Sequence, residues 1–358
     1  MVRSGRTASY PPHHPRTHRR HLIEHMLQVN RTFASALLLF TFPVAFLAQD
    51  KPDRPPWAQP AGSPQQGKPA ESAPKEKSAE SPRGTVKVNV NLVNVLVSVL
   101  DEHNRPAPNL PIDAFQVFEE GVEQKIDVFE TETKLPLDIA LMIDSSMSAH
   151  KEITFEREAA AHFIRQVLRP DDRLSVFAFD ENVVQLVSYS PDVATLQSAV
   201  RKIADGAGTS IYDAILLSSK TLEKRPSERR RVIIMVTDAG ETTSRTDFES
   251  ARKAALRAGV LLYTIVVRPV KNENGRNTAG EHALQTITET TGGAMFYPDS
   301  AEELPAIFDR IDNELRTQYR LAYYPEPRGP ANTYRTIEVK VLPGYTTRHR
   351  TTYLTGPQ

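Results

Sequence analysis

The sequence predicts an α/β protein, in which a doubly wound, mostly parallel sheet is inserted between two halves of a small β domain. Three observations lead there. PLDIALMID (136–144) and RVIIMVT (231–237) read as continuous apolar strands, the mark of strands covered on both faces. Around them, strand patterns alternate with helical stripes, as a parallel sheet sandwiched by helices requires. Segments of period-two alternation lie before and after this unit.

The elements follow in chain order. In residues 85–100 the apolar positions run Val86, Val88, Val90, Leu92 and then change phase to Val93, Val95, Val97, Val99, which predicts a bulge or a crossing between two sheets. After a turn at Asp101–Pro106, Phe115–Phe118 and Lys125–Phe129 complete about three antiparallel strands, too few for a core of their own. Residues 151–168 place Ile153, Ala160, Phe163, Ile164, Val167 and Leu168 on one helical stripe. Leu174–Phe179 and Val183–Val187 form a hairpin around Asp180–Asn182. Helices near 192–204, 211–224, 246–258, 281–291 and 301–317 alternate with the strand at 231–237, that at Val260–Val267 and a short one at 294–297. Tyr319, Leu321, Tyr323 and then Ile337, Val339, Val341 alternate again, and these strands are expected to pair with those of 85–131.

Composition bounds the ends and the chemistry. With no Cys among 358 residues there is no disulfide framework, thiolate metal site or catalytic thiol. The 44 basic and 44 acidic side chains argue against a nucleic-acid binder, which needs a basic stripe. Residues 33–48 form an apolar run that suits a signal peptide. A start at Met26 would give it ordinary length, making 1–25 an over-extended, disordered N-terminus and 26–48 the signal peptide. An uncleaved membrane anchor at 33–48 is the alternative. Residues 1–48 carry six Arg and one Glu, so a chain beginning at Gln49 has a net charge of about −5. Residues 49–84, rich in Pro, Ser, Lys and Glu, read as a disordered linker. The expected organisation is then a β module from 85–132 and 318–358, with an α/β domain at 135–317 between its halves.

Two motif look-alikes are rejected. His21, Glu24 and His25 match a zinc-protease pattern but precede the signal segment with no third ligand in evidence. Gly62 to Lys68 nearly spells a phosphate loop, but Pro69 replaces the hydroxyl residue and no strand leads into it. The Arg229–Arg231 run reads as a solvated strand entrance.

In open parallel sheets ligands bind beyond the carboxyl ends of the central strands. There the sequence places Asp144-Ser-Ser146-Met-Ser148, Asp205-Gly-Ala-Gly208-Thr209 and Thr237-Asp238-Ala-Gly240. Two carboxylates and three hydroxyls on three loops form a hard-oxygen donor set for Mg²⁺ or Mn²⁺, with Ca²⁺ possible. The competing explanation is helix capping, which Thr209 or Ser210 could serve.

On these residues the chain resembles the von Willebrand factor A-domain family and its metal-ion-dependent adhesion site, D-x-S-x-S, then T, then D. The flanks DAFQVFEEGVEQKIDVF and QYRLAYYPEP resemble those of a secreted bacterial subfamily. The resemblance implies a Rossmann-like von Willebrand A fold and direct metal ligation by Ser146 and Ser148. Thr209 would bind directly or through water, and Asp144 and Asp238 would act mainly through water and hydrogen bonds. It implies a non-enzymatic, secreted, periplasmic or cell-envelope protein that mediates metal-dependent protein–protein interaction or adhesion through an Asp or Glu of a partner. Nucleic acid would not be a partner, and the membrane only through an uncleaved N-terminal segment. A serine-type hydrolase using Ser146 or Ser148, and a structural envelope protein with a decayed metal site, are the alternatives. The sequence departs from the family's D-G at Ala239; if that position needs a positive φ, the backbone there is strained.

Overall fold

The computed structural model describes residues 92–131, 134–146, 150–267 and 278–356. The readings of residues 1–25, 26–48 and 49–84, the first apolar phase through Val90, and the assignment of Ser148 lie outside the described residues. No helix among the described residues is long and apolar enough to cross a membrane.

The central sheet has six strands: β5 (Leu137–Asp144), β6 (Arg173–Phe179), β7 (Val183–Ser190), β8 (Arg230–Thr237), β9 (Val260–Val266) and β10 (Met295–Phe296). Their order is β10-β9-β8-β5-β6-β7, and every neighbouring pair is parallel except the β6–β7 hairpin. β5 and β9 are buried along their whole length because helices cover both faces. On one face α1 (His150–Val167), α2 (Val193–Arg201) and α6 (Leu304–Arg316) pack onto Leu141, Ile143, Ile234 and Tyr263. Here the Phe163 and Phe308 rings stack with centroids 4.5 Å apart, joining α1 to α6. On the other face α3 (Ile211–Glu223), α4 (Phe248–Ala258) and α5 (Thr278–Thr291) cover Met142, Phe177, Ile233 and Met235. Asp192 caps α2 through the N–H groups of Ala194 and Thr195, and α4 runs from an Asp247 cap to Gly259 in the left-handed region, so these ends are fixed locally.

The flanking strands form two four-stranded sheets, and each draws on both ends of the described chain. The first has the order β13-β1-β11-β4, from β1 (Val93–Leu100), β4 (Val128–Glu130), β11 (Tyr319–Tyr323) and β13 (Thr346–His349). The second has the order β14-β12-β2-β3, from β2 (Gln116–Glu119), β3 (Val122–Gln124), β12 (Tyr334–Lys340) and β14 (Thr352–Leu354). Val93, Val95 and Val97 face a shared core with Phe115, Tyr319, Leu321 and Ile337, so the second apolar phase of the sequence is the inward face of β1. Buried Glu119 ties the module together. Its carboxylate pairs with Arg335 at 2.8 Å and accepts from the Tyr323 hydroxyl at 2.6 Å. The α/β unit is thus inserted between the two halves of a small β domain.

One sequence reading is corrected. The Arg229–Arg231 run is not a solvated strand entrance: Arg230 is 3% exposed. At the start of β8 the Arg230 guanidinium donates to the carbonyls of Leu135, just before β5, and Leu315, at the end of α6. Arg229 pairs with Asp138 at 2.8 Å, and Arg231 donates to the Ala258 carbonyl at 2.8 Å. Three adjacent guanidiniums are kept in place because backbone acceptors and one carboxylate surround them.

Candidate metal centre

The ends of β5 and β8 lie side by side, so Asp144 and Thr237 meet at the carboxyl edge of the sheet. The Asp144 carboxylate is fully buried. Its Oδ1 accepts from the Ser146 N–H at 3.0 Å and the Ser146 hydroxyl at 2.5 Å, and its Oδ2 accepts from the Thr237 hydroxyl at 2.6 Å. All three donors are neutral. Burial pushes the Asp144 carboxyl up to about 6, and the charge of nearby Asp238 adds to the rise against the lowering hydrogen bonds from Ser146 and Thr237.

Thr209 joins from the loop before α3. Its Oγ1 lies 2.7 Å from Ser146 Oγ. The Ser146 proton points to Asp144, so Thr209 supplies the proton of this second bond and the Ser146 oxygen keeps a free lone pair. The capping explanation does not describe these hydroxyls. Ser210 holds the N-cap position of α3 without a side-chain cap, and its hydroxyl donates to the Asp180 carbonyl at 2.7 Å. The helix is capped instead by the loop after β8. Glu241 Oε2 accepts the Ile211 N–H at 2.8 Å, and Ser244 Oγ accepts the Tyr212 N–H at 3.0 Å. Of the other nearby acids, Asp213 accepts the Arg245 and Thr246 N–H groups, and Asp180 accepts the N–H of Asn182, so both are loop anchors.

Asp238 is half-buried directly after β8, and its Oδ1 accepts the Gly240 N–H at 2.8 Å. Between them Ala239 adopts φ 64° and is fully buried, packed with Ile211 and Met235 in the core beneath α3 and α4. The positive φ that the sequence made conditional is therefore real. Close approach also shapes the loop before Thr209, since a Cβ on Gly206 would lie 2.1 Å from Asp180 Oδ2.

The structure thus joins Asp144, Ser146 and Thr209 in one hydrogen-bonded chain, with Asp238 close enough to influence Asp144. Thr237 and Glu241 were not singled out in the sequence. Thr237 reads there as the last residue of an apolar strand, and only strand adjacency reveals it as a donor to Asp144.

The donor set fits a small divalent cation. Two oxygens bound cis on an octahedral Mg²⁺ at about 2.1 Å lie roughly 3 Å apart, and the Ser146 and Thr209 hydroxyls are already 2.7 Å apart. A fully buried carboxylate held by neutral donors is the kind of charge that a cation offsets. Among the described residues no group of three or more His, Asp or Glu side chains converges, so the donors here are mainly hydroxyls.

Residues 138–310 match the family described as von Willebrand factor type A domain. An uncharacterized protein of Synechocystis sp. is 24% identical over 189 residues, covering 50% of this chain and 43% of the relative. The chain therefore spans less than half the length of that curated relative. Among solved structures, BatB from Bacteroides thetaiotaomicron is 18% identical with a TM-score of 0.41, over 51% of this chain and 100% of that one. A von Willebrand factor type A structure from Catenulispora acidiphila is 12% identical with a TM-score of 0.44, over 76% of each chain. A proximal thread matrix protein from the mussel byssus, with a zinc-occupied MIDAS motif, is 16% identical with a TM-score of 0.44, over 55% of this chain and 49% of that one. The match to the von Willebrand factor type A domain family thus spans residues 138–310, from the second residue of β5 into α6.

Proposed function

We propose that the protein is a non-enzymatic, extracytoplasmic binding module that engages an acidic side chain of a partner protein through a divalent metal, Mg²⁺ by preference. Ser146, Ser148 and Thr209 would hold the ion through their hydroxyls, and Asp144 and Asp238 through water. When bound, the ion supplies an electrophilic coordination position for a carboxylate. One observation carries the reading: Asp144 is a fully buried carboxylate whose hydrogen bonds all come from neutral donors, and it aligns Ser146 and Thr209 at a spacing suited to a shared cation. The chain's own residues set the geometry. Asp144 fixes the Ser146 hydroxyl proton away from Thr209, so that the Ser146 oxygen, while accepting from Thr209, keeps one lone pair for a cation.

The hydrolase alternative is less well supported, because Ser146 donates its proton to a carboxylate and His162, on α1, is exposed and bonded to Gln166. Export, from the signal-like segment at 33–48, remains part of the proposal. The test is calorimetric titration of Mg²⁺ into the purified chain and its Ser146→Ala variant, followed by capture of partner proteins with Mg²⁺ or with EDTA. Saturable binding that Ser146→Ala abolishes is expected. A wild type whose stability and binding ignore Mg²⁺ would sink the reading, and labelling of Ser146 by a serine-directed activity probe would favour the hydrolase.

A further inference from the structure

The opposite end of the central sheet holds a second site of different chemistry. Where β8 and β9 begin, a cavity of about 610 Å³ opens against the first small sheet. Arg229, Arg230, Arg231, Arg320 and Arg350 line it, with Glu228 as its one acidic residue. Leu92, Leu96 and Leu135 supply an apolar wall.

The charges do not cancel. Asp138 neutralises Arg229 and is shared with Arg225, and Glu130 pairs with Arg320 at 2.6 Å. Arg230 and Arg231 bond to neutral acceptors: carbonyls for both, and the Gln318 amide oxygen for Arg230. Arg350 makes no ion pair and donates no hydrogen bond among the described residues, and the one carboxylate whose charge reaches it, Glu119, is already paired with Arg335. It lies 5.4 Å from the Tyr353 ring centroid, and its enclosed Nε has no acceptor, nor has that of Arg231. Arg350 and Leu92 also line a neighbouring cavity of about 560 Å³ that contains Arg328. Guanidinium groups in a partly dry cavity are costly without an anion, and their planar forks match carboxylate and phosphate oxygens.

From this juxtaposition of leucines with guanidiniums that outnumber their carboxylates we infer that the cavity binds a small organic oxyanion with an aliphatic body, either a carboxylate or a phosphate monoester. The Arg350 guanidinium receives the oxyanion and the leucines receive the chain. The site is independent of the metal centre because it lies at the amino-terminal ends of the parallel strands.

The test uses the full chain in EDTA, which silences the metal centre. Octanoate, octyl phosphate and 1-octanol are titrated calorimetrically into the wild type, Arg350→Gln and Leu92→Glu, with thermal melts confirming that each variant folds. Saturable, salt-sensitive binding of at least one anion, and none of octanol, is expected; preference between the two anions identifies the head group. Arg350→Gln should weaken binding roughly tenfold or more, the loss of one charge-assisted contact. Leu92→Glu, which places a carboxylate at the rim, should abolish it. Octanol binding as tightly as octanoate would reduce the site to an apolar cavity. Absence of binding by both anions, or full affinity in Arg350→Gln, would overturn the inference.

Discussion

The Thr237 hydroxyl donates a 2.6 Å hydrogen bond to Asp144 Oδ2, linking the carboxyl ends of two adjacent parallel strands. The same Thr237 oxygen accepts the Ala239 N–H at 3.1 Å, so one hydroxyl organises the carboxylate and the start of the Asp238 loop. Thr237→Val keeps the shape and removes the donor, leaving a buried carboxylate oxygen unsatisfied. A stability loss of about 1–3 kcal/mol is expected, with Thr237→Ser close to wild type. Urea denaturation measures both, and an unchanged midpoint for the valine variant would show that the bond contributes nothing.

Asp144→Asn separates charge from shape. In metal-free solution at pH 8 the wild type holds a buried anion with no cation against it, so the neutral variant should be at least as stable. Saturating Mg²⁺ should reverse the order, since an ion present at 100 times its Kd stabilises the protein that binds it by about 2.7 kcal/mol. Melting curves with and without Mg²⁺ check this; a variant that responds to the ion like the wild type would contradict it.

Ala239 tests the strain in the loop that carries Asp238. A non-glycine residue at φ 64° costs about 1–2 kcal/mol, and burying its methyl returns roughly 0.8 kcal/mol. Ala239→Gly should therefore change stability by no more than about 1 kcal/mol. Ala239→Val adds a β-branch at positive φ in a fully buried position, and should cost more than about 2 kcal/mol. Equal midpoints for the two variants would show that the backbone relaxes there at no cost.

The β module has its own pH response. His349 is buried, its Nε2 accepts the Val339 N–H at 3.1 Å, and its Nδ1 lies 2.9 Å from the Arg350 carbonyl. Burial holds its pKa below the ordinary 6.5. As pH falls through 6.5 the unfolded chain takes up the proton first, so stability drops on acidification, by at most about 1.4 kcal/mol per pH unit from this group. His349→Gln should flatten that part of the profile in urea melts between pH 7 and 5. An identical slope in the variant would place the effect elsewhere.

The fold was legible where burial leaves a pattern. The uninterrupted apolar strands at β5 and β8 fixed the sheet, and the loops after them located Asp144, Ser146 and Asp238. That the C-terminal strands pair with those before the α/β unit was read correctly, but which strand meets which was not. That β1 lies beside β11 follows from register, which local alternation does not encode. The roles of Thr237 and Glu241 were hidden for the same reason, because each depends on a neighbour that is remote in sequence. The Arg229–Arg231 run was misread because consecutive charges usually mean solvent; only the Leu135 and Leu315 carbonyls, remote in sequence, show otherwise.

The cap that Glu241 and Ser244 provide for α3 has a mechanical consequence. The loop that carries Asp238 cannot retreat from the sheet edge without stripping acceptors from the Ile211 and Tyr212 N–H groups. Exposing those donors frays the first turn of α3, directly after Thr209. Loss of grip at one of the three loops is therefore felt at a second.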